Sequence, residues 1–234
     1  MIKSSTKPDQ WTLSPQMTAA PELWRGCEIV AALWEKVGTF RNLVPGGMVI
    51  NDDSTQANTG INWVRTASGT GINSTTIATD SGGSSRAIPS DAISFAVLWD
   101  NLANDTPEFF VCRDIDKSKT IVECKAGSDL VVELYSDQGF DNGDISGATL
   151  DGRTIVSVTF DRGGRMSLYF NGVFQGDRAC DWSPDSGGLY YDFNMFGNDV
   201  NLEAAPAVWE RALTPAEHAL IGRDPFAMLR PAGF

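Results

Sequence analysis

The chain's one histidine, His218, narrows the chemistry open to it. A metal cluster built on imidazoles needs more than one ring, and a Ser-His-Asp relay would have to rest on this residue alone. His218 lies in Thr214-Pro215-Ala216-Glu217-His218-Ala219-Leu220, where it reads as partly solvated helix surface. Glycoside hydrolysis would instead need two carboxylates flanking a sugar bond, commonly at alternating positions of one strand. The sequence has no E-x-D-x-E run. Glu133 and Asp137 are placed to share a strand face, but Leu134-Tyr135-Ser136 adds no third carboxylate, so both read as surface charges. Asp141-Asn142-Gly143-Asp144 sets two carboxylates near a glycine without the spacing of an EF-hand loop, and reads as an Asx/Gly turn. Phosphate-cradling glycine loops, zinc motifs and dinucleotide fingerprints are missing. Asp181-Trp182-Ser183-Pro184-Asp185 puts an aromatic between acids, so Trp182 either stacks on a sugar face or folds beneath its own loop. The expectation is a chain with no catalytic residue, no cofactor and no tightly bound metal, whose candidate glycan contact is Trp182.

The elements that would carry these residues are mostly strands. Met166, Leu168 and Phe170 alternate with Ser167 and Tyr169, and Asn171-Gly172 supplies two residues that tolerate positive φ, as a type I′ hairpin turn demands. Upstream, Val156, Val158 and Phe160 alternate with Ser157 and Thr159 before the turn Asp161-Arg162-Gly163-Gly164. The segment predicts a three-stranded meander in which those six apolar residues are buried. Further strands are expected over 61–64, 72–77, 129–135 and 189–196. The only helix expected starts at Thr214, with Pro215 at its first position and Glu217 completing a capping box, and ends at Gly222.

Twenty-three glycines and many Ser/Thr/Asn/Asp clusters argue for an all-β class built of short strands. A chain of 234 residues suffices for one self-contained core, burying about 70–75% of its unfolded surface. The net charge of −12 is spread along the chain and repels phosphate backbones, which argues against nucleic acid as a partner. No apolar run approaches the ~20 residues that cross a bilayer, and Met1-Ile2-Lys3-Ser4 does not begin a secretory signal. Cys27, Cys112, Cys124 and Cys180 lie far apart and read as buried free thiols; a Cys112–Cys124 bridge across a hairpin turning near 116–119 is the alternative.

Residues 1–22, with three prolines and scattered apolar groups, cannot pack on their own and are expected to form an extended arm preceding a domain over 23–234. In a monomer such an arm is loose. Alternatively it docks on a neighbouring subunit through Trp11, Leu13 and Met17, which are evenly spaced.

Arg153-Thr154-Ile155-Val156-Ser157-Val158-Thr159-Phe160-Asp161, followed by Leu168-Tyr169-Phe170-Asn171-Gly172, resembles the "lYvNG" hairpin of the laminin G-like branch of the concanavalin A-like lectin/glucanase fold. Val208-Trp209-Glu210-Arg211-Ala212-Leu213-Thr214-Pro215-Ala216-Glu217 resembles that family's closing strand and helix, Ala92 to Trp99 its "ftisaWv" strand, and Cys27 to Trp34 its first strand. The resemblance covers roughly 24 to 224 and implies a jelly-roll sandwich of two antiparallel sheets with one short C-terminal helix. It also implies Ca²⁺ as the ion to consider at Asp141 and Asp144. The ending Arg223-Asp224-Pro225-Phe226-Ala227-Met228-Leu229-Arg230-Pro231 is similar to those of laminin G-like proteins encoded by tailed bacteriophages. That similarity implies a non-enzymatic virion protein, a capsid decoration or head or tail fibre subunit assembled in the host cytoplasm. Its expected partners are other virion proteins and further copies of itself. The alternative is a lectin-like module whose partner is a host-surface glycan.

Overall fold

The structure, a computed structural model, describes residues 18–31, 42–47, 49–52, 62–66, 69–73, 77–80, 91–101, 108–114, 120–126, 131–137, 143–150, 152–182, 189–193 and 200–232. Trp11, Leu13, Met17 and Asp141 lie outside them. In chain order the strands are β1 (Cys27–Val30), β2 (Val49–Asp52), β3 (Asn62–Thr66), β4 (Gly69–Asn73), β5 (Ile77–Asp80), β6 (Ala92–Asn101), β7 (Glu108–Asp114) and β8 (Thr120–Ala126). They continue with β9 (Val131–Ser136), β10 (Gly143–Thr149), β11 (Thr154–Asp161), β12 (Gly164–Phe170), β13 (Val173–Cys180), β14 (Leu189–Phe193) and β15 (Val200–Trp209). A 3-10 turn, Pro21–Trp24, precedes them and the helix α1, Pro215–Arg223, follows.

Two antiparallel sheets form a sandwich, as the alternation predicts. One runs β13-β12-β11-β6-β15-β4-β3 with β1 added against β15; the other runs β10-β9-β8-β7-β14-β5-β2. The run 72–77 is not one strand: β4 ends at Asn73 in the first sheet and β5 begins at Ile77 in the second. The meander has the expected register, with Val156 opposite Phe170, Val158 opposite Leu168 and Phe160 opposite Met166. Five of the six apolar residues are fully buried between the sheets, and Phe170 is partly buried against them. Asn171 and Gly172 have φ of 50° and 78°, the two positive values the tight turn requires. At the centre Phe95, Phe110 and Phe160 stack, Phe95 on Phe110 at 4.7 Å between centroids.

A second apolar cluster lies on the outer face of the first sheet. Ala96 and Leu98 of β6, Ile155 of β11 and Ala207 of β15 point away from the other sheet and are covered by Leu23, Trp24, Ile221 and the tail Phe226 to Leu229. Burial of such side chains contributes about 1.5–3 kcal/mol each. The tail from Phe226 to Leu229 is therefore integral to the fold. Residues 18–22, expected in the arm, belong to this layer too: Thr18 bridges Pro231, the Ala19 amide donates to the Arg230 carbonyl at 2.7 Å, and Ala20 is fully buried. They are held because the sheet's outer face is apolar and needs a cover.

The helix begins as predicted, with Thr214 and Glu217 exchanging both bonds of a capping box. Gly222 does not end it; the helix runs one residue further, to Arg223. What Gly222 provides is close approach, because a Cβ there would lie 2.1 Å from both the Asn171 carbonyl carbon and the Gly172 nitrogen. The helix thus rests directly on the β12–β13 turn.

Candidate binding surfaces

His218 is not on the surface. It is 0% exposed, pointing from α1 into the sheet, where Nδ1 lies 2.8 Å from Ser157 Oγ and Nε2 lies 3.0 Å from Thr159 Oγ1. Its ring stacks on Tyr169 with centroids 3.9 Å apart. Thr159 Oγ1 in turn meets Ser94 Oγ at 2.8 Å, and both accept from the Leu213 amide. Ser157 and Thr159, the polar half of the β11 alternation, therefore face the helix instead of water. The Ser157–His218 pair has the spacing of a nucleophile and its base, but Ser157 too is 0% exposed and no carboxylate orients the ring. Burial pushes the His218 pKa down to about 4, with Glu217 acting weakly against it, so the imidazole is neutral at pH 7. The cluster fastens helix to sheet, and its hydroxyls are the reason a histidine is tolerated there.

Beside it, Arg211 ties three segments together. Its guanidinium donates to both Glu217 carboxylate oxygens at 2.5 and 3.0 Å, to the Arg25 carbonyl at 2.6 Å and to the Glu22 carbonyl at 3.0 Å. Burial works to raise the Glu217 pKa, but the bonds from Arg211 and Thr214 prevail and hold it below the usual value.

Trp182 is fully covered in the inter-sheet core, the buried one of its two expected positions, and offers no face to a sugar. Its carbonyl accepts from Arg162 Nε at 2.9 Å. Asp144 is exposed, and among the described residues no group of three His, Cys, Asp or Glu side chains is gathered to hold a metal ion. Cys27, Cys112, Cys124 and Cys180 are free and buried. Cys112 faces Val122 and Cys124 faces Phe110 in the β7–β8 register, which puts the two thiols out of direct opposition and excludes the hairpin bridge.

Two described surfaces carry aromatic or apolar groups outside the cores. The first is the outer face of the second sheet across β8 and β9, where Glu123 lies opposite Tyr135 and Lys125 opposite Glu133. Tyr135 donates its hydroxyl to Glu133 Oε2 at 2.5 Å, and the Lys125 ammonium sits 4.6 Å from the Tyr135 ring centroid, within 3.7 Å of Glu123 and 3.9 Å of Glu133. The bond to Glu133, with burial and the neighbouring carboxylates, pushes the Tyr135 pKa up to about 12, keeping the phenol protonated. Asp137, expected to share this face, lies beyond the end of β9 and donates its amide to the Ile121 carbonyl at 2.8 Å. Alternation alone places Glu133 and Tyr135 on one face; their pairing with β8 needs the register, which the sequence does not give.

The second surface is the tip of the β12–β13 hairpin. Val173 and Phe174 are 64% and 52% exposed, and the Phe174 ring meets Tyr169 in a T-shaped pair with centroids 5.5 Å apart.

No protein family's sequence profile matches the chain, and no curated protein matches it in sequence. Solved structures do match in fold. The binding domain of botulinum neurotoxin serotype D superposes with a TM-score of 0.63 at 10% identity, over 88% of this chain and 52% of that one. The binding domain of Paraclostridial Mosquitocidal Protein 1 gives 0.60 at 14% identity, over 86% of this chain and 52% of that one. Trypanosoma rangeli sialidase in complex with sialic acid gives 0.63 at 9% identity, over 87% of this chain and 34% of that one. The chain therefore spans about half the length of the toxin binding domains and about a third of the sialidase. At these identities the likeness shows the fold alone, an all-β sandwich of two antiparallel sheets.

Proposed function

We propose that the protein is a non-enzymatic, lectin-like binding module whose ligand is a glycan held on the outer face of β8 and β9. The observation that carries this reading is the Tyr135 ring standing between Glu123, Lys125 and Glu133. A sugar offers apolar C–H faces and many hydroxyls, and an aromatic ring flanked by charged hydrogen-bonding groups complements both. Lys125 lies over the ring, but a surface cation–π contact is worth only about 0.5–1 kcal/mol and yields to a ligand. Fold neighbours support the reading: one is botulinum neurotoxin type C, whose cell entry is dependent upon interaction with two ganglioside molecules, and another is a sialidase in complex with sialic acid. The test is a glycan array probed with the full chain, followed by titration of hits against Tyr135→Ala. Binding lost in the variant with its melting temperature kept supports the site. An array without hits, or hits that bind the variant equally, removes it.

A second reading is a virion role, as a decoration or fibre subunit of a tailed phage, and Val173 and Phe174 favour it. Adjacent exposed apolar side chains on a rigid hairpin suit contact with another subunit. Trp11, Leu13 and Met17 would supply further apolar contacts to the same particle. Because Thr18 to Glu22 belong to the domain, the informative truncation starts at Thr18. The 18–234 chain and a Val173→Ser/Phe174→Ser variant should melt like the full chain yet fail to bind undecorated capsids or to self-associate. Assembly equal to that of the full chain counts against this role.

A further inference from the structure

The first sheet carries two separate apolar clusters, one between the sheets and one under the terminal layer of Pro21–Trp24, α1 and the tail to Leu229. The outer cluster is cut off from the inner one by the sheet itself, so the layer can open without disturbing the sandwich. What fastens the layer at the helix is the buried imidazole of His218, gripped by Ser157 and Thr159 and stacked on Tyr169. We propose that this layer is an acid-operated cover: protonation of His218 lifts α1, and with it the tail and the Pro21–Trp24 turn, from the first sheet while the sandwich stays folded.

The surroundings leave an imidazolium poorly compensated. From β11 and β6 only the hydroxyls of Ser157, Thr159 and Ser94 face the cluster, and from β12 only Tyr169, whose phenol stays neutral. On α1 itself Glu217 is the neighbouring carboxylate, but both its oxygens are already bonded to Arg211, whose positive charge offsets it. Asp177 of β13 acts on the Tyr169 phenol and is itself paired with Arg165. A cation formed here has no free anion to meet and gains solvation by leaving.

The rest of the cover is tied to the helix side and also to the sheet, where Trp209 Nε1 of β15 donates to the Leu23 carbonyl at 2.6 Å, a bond that must break for the Pro21–Trp24 turn to lift. Trp24 Nε1 donates to the Met228 carbonyl at 2.6 Å, and Arg211 joins Glu217 to the carbonyls of Glu22 and Arg25. Opening at α1 therefore loosens both chain ends together, and exposes Ala96, Leu98, Ile155 and Ala207 as an apolar sheet face.

The experiment is hydrogen exchange read by mass spectrometry on the full chain from pH 7.5 to 4, with rates corrected for intrinsic pH dependence. It is paired with NMR titration of the imidazole, unambiguous because His218 is the sole histidine. The expected result is loss of protection over 18–24 and 214–231 before β6, β11 and β12, coincident with imidazole protonation. In His218→Gln the same opening should move down by about one pH unit or more. Simultaneous loss across the sandwich, or imidazole protonation without loss of protection in the layer, would overturn the proposal. If His218→Gln does not fold, the titration of the native chain decides by itself.

Discussion

Gly172 and Gly222 meet backbone to backbone: a side-chain carbon on Gly222 would fall 2.1 Å from the Gly172 nitrogen, and one on Gly172 would fall 2.7 Å from Ala219 Cα. One glycine sits at the corner of the hairpin and the other in the last turn of α1, and together they let helix and turn touch without intervening side chains. In an isolated helix Gly→Ala stabilises by about 1 kcal/mol. Here Gly222→Ala must force the two elements apart, so it should destabilise by about 2–4 kcal/mol in urea denaturation. A stabilised variant would show the contact to be loose.

Gly172→Val adds a second conflict, since φ is 78° there and a β-branched residue resists positive φ. Its melting temperature should fall by more than that of a valine substitution at Thr149, which is exposed at the end of β10. Equal effects would count against the turn geometry.

Acid should weaken the fold through His218. Its folded pKa of about 4 lies below the ordinary 6.5, so neutral imidazole is favoured in the native state. Stability from this group is complete above pH 6.5 and falls as pH drops towards 4, where the unfolded chain binds the proton and the folded one does not. A gap of that size corresponds to about 3 kcal/mol. Urea midpoints measured from pH 7.5 to 4 should decline across this window, and less so in His218→Gln.

The tryptophans offer an internal comparison. Trp99 Nε1 is buried without a hydrogen-bond partner, whereas Trp24 and Trp209 donate to the Met228 and Leu23 carbonyls, each at 2.6 Å. Trp99→Phe removes an unsatisfied donor, which offsets part of the lost packing, so its cost should stay within about 1 kcal/mol. Trp24→Phe and Trp209→Phe each leave a buried carbonyl unpaired and should cost about 1–3 kcal/mol more. Thermal melts of the three variants check the order.

Thiol reactivity should separate native from unfolded chain cleanly. Burial raises the Cys27, Cys124 and Cys180 thiols, Cys180 to about 12, and all four are covered. Native protein should react with Ellman's reagent at none of the four within minutes, and at all four in guanidinium chloride. A rapidly reacting native thiol, or fewer than four after unfolding without reductant, would contradict the buried, unbridged assignment.

Local chemistry by itself determined the strand pairs and the helix start. Val156, Val158 and Phe160 alternate against Met166, Leu168 and Phe170, Asn171-Gly172 accepts the positive φ that alternation across a tight turn requires, and Thr214 with Glu217 closes a capping box within four residues. Each signal acts over a few bonds, so the linear sequence contains it. What only the tertiary structure decided is which polar positions are buried. The sequence places Ser157 and Thr159 on the polar half of an alternation, reads His218 as helix surface and Gly222 as a helix stop, and leaves Trp182 between a sugar-facing and a buried position. Residues 18–24, α1 and the tail to Leu229 close over one sheet, which turns Ser157, Thr159 and His218 inward and sets Gly222 against the β12–β13 turn, while burial of Trp182 between the sheets selects one of its two readings. Burial of that kind depends on contacts between residues some 60 to 200 positions apart, such as Ser157 with His218 and Trp24 with Met228, and no periodicity within either segment encodes the partner.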